Sequence, residues 1–138
     1  MDDLVFRDGL YYQKFTDVPF SGKITGRQQG SFKNGVKDGT WVWYYENGQL
    51  SYKGNFNNGK RDGAWFWYWG NGQVSSKDNY KNGKKEGDWV SYYENGQLRH
   101  KGNYKNGVKD GTWVWYYEDG TVFKPWTGTF KDGKKIRD

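Results

Sequence analysis

The chain has 138 residues, a length that predicts one domain. Its hydrophobic fraction is 33% and aromatic residues alone make up 21%, so tryptophan, tyrosine and phenylalanine supply most of the apolar content. Aromatic side chains favour strands and the 21 glycines would interrupt helices, so the composition predicts an all-β protein. The chain contains no cysteine, which excludes disulfides, thiol catalysis and thiolate metal sites.

The net charge of +6 favours anionic partners, such as acidic proteins, lipid headgroups or nucleic acid, and the same charge would keep an aromatic-rich sheet soluble. No apolar run approaches the ~18 residues that a membrane-spanning helix needs. The sequence shows no signal peptide, so it leaves the compartment open between the cytoplasm and a cell envelope.

Residues 1–30 are predicted to form a degenerate repeat and an N-terminal cap. Asp8-Gly9 has the form of the last turn of an incomplete repeat, and the segment from Leu10 to Gly30 departs from the pattern that follows. Terminal units of repeat arrays are atypical because they cover an otherwise open end.

Four copies of a 24-residue unit follow, over residues 31–122. Each copy contains two Asn-Gly or Asp-Gly dipeptides, as at Asn47-Gly48 and Asn58-Gly59. A fixed period of this length is typical of stacked repeats, and Asn-Gly between alternating hydrophobic residues predicts a two-residue type I′ hairpin turn. The same period carries the tryptophans Trp41, Trp65, Trp89 and Trp113.

Two-residue turns at both dipeptides would set the register of a continuous antiparallel meander, a single curled sheet of stacked hairpins. All of the paired residues would then lie on one face. A tryptophan opposite a glycine would lie flat over bare backbone. The expected pairs are Trp41 with Gly54, Trp43 with Tyr52, Tyr45 with Leu50, Tyr52 with Trp65, Leu50 with Trp67, and Trp89 with Gly102.

The aromatic face of this sheet is expected to be its core, because it holds the only large store of apolar surface. Docking of a partner or of a second copy is an alternative role, and so is stacking of sugar or choline-like groups. Asp78 stands where two other repeats have glycine, which would place a carboxylate on this face opposite Trp65. The tryptophans assigned to the aromatic face are Trp41, Trp43, Trp65, Trp67, Trp89, Trp113 and Trp115.

The opposite face is thinner, and we predict that it carries the contacts to a partner. Aromatic anchors and long cations are typical of binding surfaces. The predicted binding residues are Tyr44, Tyr68, Tyr92, Tyr116, Lys53, Lys77 and Lys101.

Alternate turns of a meander lie on opposite edges, so the charges predict a bipolar sheet. A basic edge could dock on anionic lipid or on an acidic protein, and lysine also protects sheet edges from aggregation. The expected acidic edge holds Asp8, Glu46, Glu94, Glu118 and Asp119. The expected basic edge holds Lys33, Lys37, Lys60, Arg61, Lys81, Lys84, Lys85, Lys105, Lys109, Lys131, Lys134 and Lys135.

Catalysis finds little support in the sequence. His100 is the only histidine, which argues against a catalytic triad or a histidine metal site and favours a strand residue. Carboxylates recur before glycine every 24 residues, which indicates turn chemistry more than a unique active site or a calcium site. We predict no catalytic, cofactor or metal residues. These recurring carboxylates are Asp38, Asp62, Glu86 and Asp110.

Residues 123–138 are expected to form a C-terminal cap, since Lys124-Pro125-Trp126 breaks the repeat.

The sequence argues against nucleic acid as a partner. A surface that binds nucleic acid interleaves cations with aromatic rings, whereas here the lysines are expected in turns and the aromatic residues on a face.

The stretch Gly-Asn-Tyr-Lys-Asn-Gly-Val-Lys-Asp-Gly-Thr-Trp at 102–113 resembles the MORN repeat. The run Tyr-Tyr-Glu-Asn-Gly-Gln-Leu at 44–50 resembles the bacterial MORN-variant repeat, found in proteins labelled YwqK-family antitoxin components. The resemblance covers about residues 30–133. It implies a curled sheet of stacked hairpins and non-catalytic roles in protein scaffolding or association with phospholipid. It carries no catalytic or ligand residues.

We therefore predict a non-enzymatic scaffold, antitoxin-like in its family, that binds another protein. The first alternative is a peripheral membrane or cell-envelope module that binds anionic lipid through the basic edge. The second is a binder of sugar or choline-like ligands in an aromatic groove. Self-association through the aromatic face or the sheet edges is compatible with each of these.

Overall fold

The structure is a computed structural model that describes residues 3–14, 16 and 18–138. The expected N-terminal cap at 1–30 therefore includes four positions, 1, 2, 15 and 17, that lie outside the described residues. Within the described part the chain is all-β apart from a 3₁₀ turn at Lys124–Trp126. The strands are β1 (Leu4–Arg7), β2 (Leu10–Gln13), β3 (Gly22–Ile24), β4 (Gln28–Lys33), β5 (Val36–Tyr44), β6 (Leu50–Asn57), β7 (Lys60–Tyr68), β8 (Val74–Lys81), β9 (Lys84–Lys85), β10 (Gly87–Tyr92), β11 (Leu98–Lys105), β12 (Val108–Trp115), β13 (Gly128–Lys131) and β14 (Lys134–Arg137).

Strands β3 to β14 form one open antiparallel sheet whose order follows the chain, which confirms the predicted meander. The short strand β9 pairs with β8 and precedes β10 in the same repeat. Strands β1 and β2 form a separate hairpin through the turn at Asp8-Gly9. A backbone hydrogen bond connects this hairpin to the main sheet: the Tyr11 N–H donates to the Gly35 carbonyl at 2.7 Å.

The second Asn-Gly turn of each repeat is the predicted two-residue turn. Asn57 pairs with Lys60, and both Asn58 (φ 49°) and Gly59 (φ 81°) have the positive φ that a type I′ turn requires. The same geometry recurs at Asn34, Asn82 and Asn106. These turns all lie along one edge of the sheet.

The first Asn-Gly turn differs from the prediction. Only Gly48 has a positive φ, because the Asn47 side chain accepts the Gln49 N–H at 2.9 Å and holds a three-residue loop. The loop adds one residue, and a β-bulge removes the offset again: Tyr44 pairs with Leu50 while Trp43 pairs with Tyr52. The pairs Trp41–Gly54 and Trp43–Tyr52 are therefore confirmed, and Tyr45–Leu50 is wrong. Leu50 shares the face of Tyr44 instead of the aromatic face.

The register between β6 and β7 also differs from the prediction. Tyr52 pairs with Trp67 and not with Trp65, because a second irregularity places 63–65 against Gly54 alone. The predicted pair of Leu50 with Trp67 is wrong for the same reason. The shift is by two residues, so this change of register does not move any side chain to the other face of the sheet.

The core is a row of indoles that lie on glycines of the preceding strand. A Cβ built on Gly54 would lie 2.0 Å from Cδ2 of Trp65, and the Trp65 indole N–H donates to the Asn55 carbonyl at 3.2 Å. The indole that covers Gly54 thus comes from β7, although Trp41 is the residue paired with it, and Trp113 likewise covers Gly102 in place of Trp89. The side chains that are 0% exposed are Trp41, Trp65 and Trp113.

Candidate binding surfaces

The half-buried rings of the aromatic face stack on one another. The ring centroids of Trp43 and Tyr52 lie 4.2 Å apart and those of Tyr52 and Trp67 lie 4.6 Å apart, close to the ~4.8 Å between strands. Because each ring uses its flat faces on its neighbours, the ladder presents ring edges, and stacking of sugar or choline-like groups on it is poorly supported. The remaining predicted members, Trp89 and Trp115, are also half-buried on this face.

A row of cations covers the same rings, which corrects the predicted basic edge. Lys37 Nζ lies 4.9 Å from the Trp41 ring centroid, and burial together with the charge of Arg61 lowers the pKa of Lys37. Each of these cations lies four residues before the tryptophan of its repeat. Side chains separated by an even number of residues on a strand lie on the same face, so the cations lie on the aromatic face. That spacing was visible in the sequence. The cations over rings of this face are Lys37, Arg61, Lys85 and Lys109.

Asp78 interrupts the row of glycines that supports the indoles. It pairs with Trp65 as predicted and is 6% exposed. Its Oδ2 accepts a hydrogen bond from the Tyr80 hydroxyl at 3.1 Å, and its Oδ1 has no partner among the described residues. Burial raises the pKa of this carboxyl, although the Tyr80 hydrogen bond and the Lys85 charge oppose the shift. With a carboxylate in place of glycine, Trp89 packs against His100 instead, at 4.3 Å between ring centroids.

Ser91 and His100 replace aromatic residues in the next repeat. The Ser91 hydroxyl lies 2.8 Å from Nδ1 of His100, and both residues are buried. The imidazole packs on Trp115 at 3.9 Å between centroids. No carboxylate in the described part of the chain is hydrogen-bonded to His100, so the pair lacks the third member of a triad.

We expect His100 to remain neutral throughout the physiological range. Burial, aided by the positive charges of Arg99, Lys109 and Lys85, lowers the pKa of His100 to about 4. A histidine whose folded pKa lies below its unfolded value of 6.5 stabilises the fold above pH 6.5 and loses that contribution as the pH falls towards 4. An NMR titration of the imidazole measures the midpoint, and a midpoint near 6.5 would contradict the buried placement.

Two of the recurring carboxylates accept hydrogen bonds from backbone N–H groups of the type I′ turns. Asp38 accepts the Asn58 backbone N–H at 3.4 Å, and Glu86 accepts the Asn106 N–H at 2.6 Å. Among the described residues no group of three histidines or acidic residues is placed to hold a metal ion. These contacts give the carboxylates a structural role at the edge of the type I′ turns.

The opposite face carries lysines and apolar side chains in alternation. A row of paired residues crosses the sheet, so its lysines recur every second strand, about 10 Å apart. Lys53 Nζ and Lys77 Nζ lie 5.2 and 5.5 Å from the Phe66 centroid. The row consists of Val42, Lys53, Phe66, Lys77, Val90, Lys101 and Val114.

The four predicted tyrosines form the neighbouring row, each opposite an aliphatic residue. All four are half-buried. A groove of about 570 Å³ brings Tyr92 and Lys77 together with Phe66 and Val90, and a second of about 390 Å³ contains Lys101. The tyrosine pairs are Tyr44 with Leu50, Tyr68 with Val74, Tyr92 with Leu98, and Tyr116 with Val122.

The edge of the sheet that carries the type I′ turns, called the type I′ edge below, has fewer lysines than predicted. These side chains are exposed and flank the two-residue turns. No helix in the described part of the chain has the length and apolarity that crossing a membrane requires. The lysines that remain at this edge are Lys33, Lys60, Lys81, Lys84, Lys105, Lys131 and Lys134.

A search of curated proteins returns no match. Among solved structures, a GtfA/B complex bound to UDP and GlcNAc is similar over 88% of this chain and 26% of that chain, at 14% identity and a TM-score of 0.25. The chain thus spans about a quarter of the length of that match, whose similarity is too low to inform fold or function.

The profile of the family described as MORN repeat variant matches four segments, residues 37–58, 61–82, 85–106 and 109–124. Each segment begins at one of the cations that lie over the rings, next to a type I′ turn at the edge of the sheet. MORN repeat proteins are typically non-enzymatic scaffolds that mediate protein or membrane binding. The matched segments include more than half of the residues, and the chain therefore belongs to the MORN repeat variant family.

Proposed function

We propose that this chain is a non-enzymatic scaffold that binds another protein through the tyrosine and lysine face. The observation that supports this most is the alternating row from Val42 to Val114, which leaves cations and apolar grooves on a face without a covering layer in the described structure. The aromatic face is already filled by its own rings and cations. An antitoxin-like role, in which the bound protein is a toxin, is one form of this proposal.

The chemistry of the face defines the partner. Its lysines recur at about 10 Å intervals between apolar side chains, so it suits a protein surface with spaced carboxylates and apolar anchors. A rigid sheet presents these groups in fixed positions, which lowers the ordering cost of binding. The larger groove also contains Tyr92, which supplies an aromatic anchor.

Charge reversal at the face tests the proposal. We expect Lys53→Glu with Lys77→Glu and Lys101→Glu to abolish capture of the partner from a host lysate. The matched control reverses Lys33, Lys84 and Lys105 at the edge, so both triple variants go from +6 to zero net charge. Proteins that the edge variant retains and the face variant loses are partners of the face. Equal loss in both variants would show that overall charge, and not this face, determines binding.

Serine at the four tyrosines gives a second prediction. Replacing Tyr44, Tyr68, Tyr92 and Tyr116 should weaken binding to the captured partner by about tenfold or more, because tyrosine anchors contribute heavily to interfaces. Circular dichroism would establish that the sheet is retained. Unchanged affinity in a folded variant would refute the tyrosine contribution.

The alternative function is binding of anionic lipid by the type I′ edge, which the row of exposed lysines supports. The two triple variants separate this function from the first. Lipid binding at the edge predicts that the edge variant loses cosedimentation with phosphatidylserine vesicles while the face variant keeps it. Equal cosedimentation with neutral and anionic vesicles would exclude the lipid function.

A further inference from the structure

The C-terminal end of the sheet contains a small cavity with aromatic walls. Its volume is about 230 Å³, and its lining includes Trp115, Tyr117, Phe123, Trp126 and Arg99. The rings meet nearly at right angles: Trp126 lies 4.9 Å from Trp115 at 73° and 4.9 Å from Phe123 at 74°, and Phe123 lies 5.2 Å from Tyr117 at 89°. We name this cavity the terminal cage.

Hydrogen bonds hold the walls of the terminal cage in place. The Phe123 N–H donates to the Trp115 carbonyl at 2.7 Å. The Thr127 hydroxyl donates to the Phe123 carbonyl and accepts the Trp115 N–H, both at 2.9 Å. The 3₁₀ turn that carries Trp126 is therefore fixed against the sheet, so the cavity is preformed.

A simple cap of the aromatic face would bury its rings, and these rings are not buried. Trp126 is 54% exposed and Tyr117 is 50% exposed. In earlier repeats the equivalent tyrosine is tied to the next repeat, since the Tyr45 hydroxyl donates to the Tyr68 carbonyl and the Tyr93 hydroxyl to the Tyr116 carbonyl, both at 2.6 Å. The Tyr117 hydroxyl, by contrast, has no hydrogen bond within the described residues, and the Tyr117 ring packs on Phe123.

The polar groups of the cage include two that can only donate hydrogen bonds, the Arg99 guanidinium and the Trp115 indole N–H. Arg99 occupies the repeat position that Arg27 holds 72 residues earlier, where the Arg27 guanidinium lies 3.5 Å from the carboxylate of Glu46. Within the described part of the chain, Arg99 has no carboxylate at salt-bridge distance and instead lies 5.6 Å from the Tyr93 ring centroid. The buried indole N–H of Trp115 also lacks a partner among the described residues.

We propose that the terminal cage binds a small ligand made of one six-membered ring that carries a carboxylate. The ring would lie between the aromatic walls, and the carboxylate would accept hydrogen bonds from the Arg99 guanidinium, which suits planar two-oxygen acceptors. A cavity of about 150 Å³ holds a benzene ring, so the volume here suits one ring and its substituent. A quaternary ammonium would meet the like charge of Arg99.

Two sources supply this chemistry, a uronic-acid sugar and an aromatic acid. Saturation-transfer NMR with glucuronate and with benzoate distinguishes them, and glucose and benzyl alcohol are their neutral counterparts. We expect at least one acid to bind and to shift the indole N–H signal of Trp126. Failure of both acids at millimolar concentration, or binding of choline in preference to both, would overturn the proposal.

Matched arginine variants test the contact itself. Arg99→Gln should weaken binding of the acid by about tenfold or more, since hydrogen bonds to charged groups are the strong ones. Arg27→Gln removes the equivalent arginine far from the cage and should leave binding unchanged. Trp126→Ala, at a half-exposed position, should abolish it while the indole signal of Trp65 reports that the fold persists. Equal effects of the two arginine variants, or neutral analogues binding as well as the acids, would refute the assignment.

Discussion

Gly54→Ala is expected to lower the free energy of unfolding by about 3 kcal/mol, the upper end of the cost of an overpacked core. The added Cβ would lie 2.0 Å from the Trp65 ring, which is 0% exposed and hydrogen-bonded through its N–H to Asn55. The indole would have to leave its site, with loss of burial and of that hydrogen bond. Urea denaturation measures the change.

Gly70→Ala is the matched control for this substitution. A Cβ at Gly70 meets nothing within 4 Å, and its φ is not in the left-handed region, so its effect should stay within about 0.5 kcal/mol. Both variants change the unfolded chain in the same way, so the difference between them isolates the contact with Trp65. Equal denaturation midpoints would contradict the packing of indole on glycine.

Asp78→Gly is expected to raise the free energy of unfolding by about 1–2 kcal/mol. The substitution removes a buried carboxylate with one unpaired oxygen, a gain of about 1–3 kcal/mol, against about 0.5–1 kcal/mol for glycine in a strand. It also restores the surface on which Trp89 could lie as Trp65 lies on Gly54. Asp88→Gly, at an exposed position in β10, is the control and should be slightly destabilising.

The gain from Asp78→Gly should depend on pH. Burial raises the folded-state pKa of Asp78 above its ordinary 3.8, so the folded state binds this proton more tightly than the unfolded state. The buried charge of Asp78 therefore lowers the stability of the wild-type protein fully at pH values above the folded-state pKa. This destabilisation declines as the pH falls through that pKa and is absent below 3.8. The difference between variant and wild type should shrink on acidification. A difference that stays constant or grows would show that Asp78 is not buried as a charge.

The alternation of side chains made the faces of the sheet predictable, and local irregularities made the pairs less so. The pair Trp41–Gly54 follows from counting residues back from an assumed two-residue turn at Asn47-Gly48. The loop has three residues, closed by the Asn47 side-chain contact to Gln49, and the β-bulge beside it restores the predicted register. The extra residues opposite Gly54 shift the register by two, which preserves faces and changes partners. The side-chain contact recurs with the repeat, at Asn71, Asn95 and Asp119, but the Asn-Gly dipeptide alone does not distinguish a two-residue loop from a three-residue loop.

The candidate surfaces divide in the same way. Tyr92 and Lys77 lie on the face to which alternation assigns them, whereas their shared groove with Phe66 depends on the register found in the structure. The position of Lys37 over the rings could have been predicted from its even spacing to Trp41. The terminal cage could not, because it arises where Lys124-Pro125-Trp126 breaks the repeat and the 3₁₀ turn brings Trp126 and Phe123 against Trp115.

Hydrogen exchange of the indole N–H groups, followed by NMR, tests the central claim that stacked hairpins bury one tryptophan per glycine-bearing repeat on a single face. The indoles of Trp41, Trp65 and Trp113, which donate to Ser31, Asn55 and Asn103, should exchange as slowly as the strand backbone. Those of Trp126 and of Trp89, which lies beside Asp78 in place of glycine, should exchange faster. Fast exchange at Trp41, Trp65 and Trp113 alike would contradict the account.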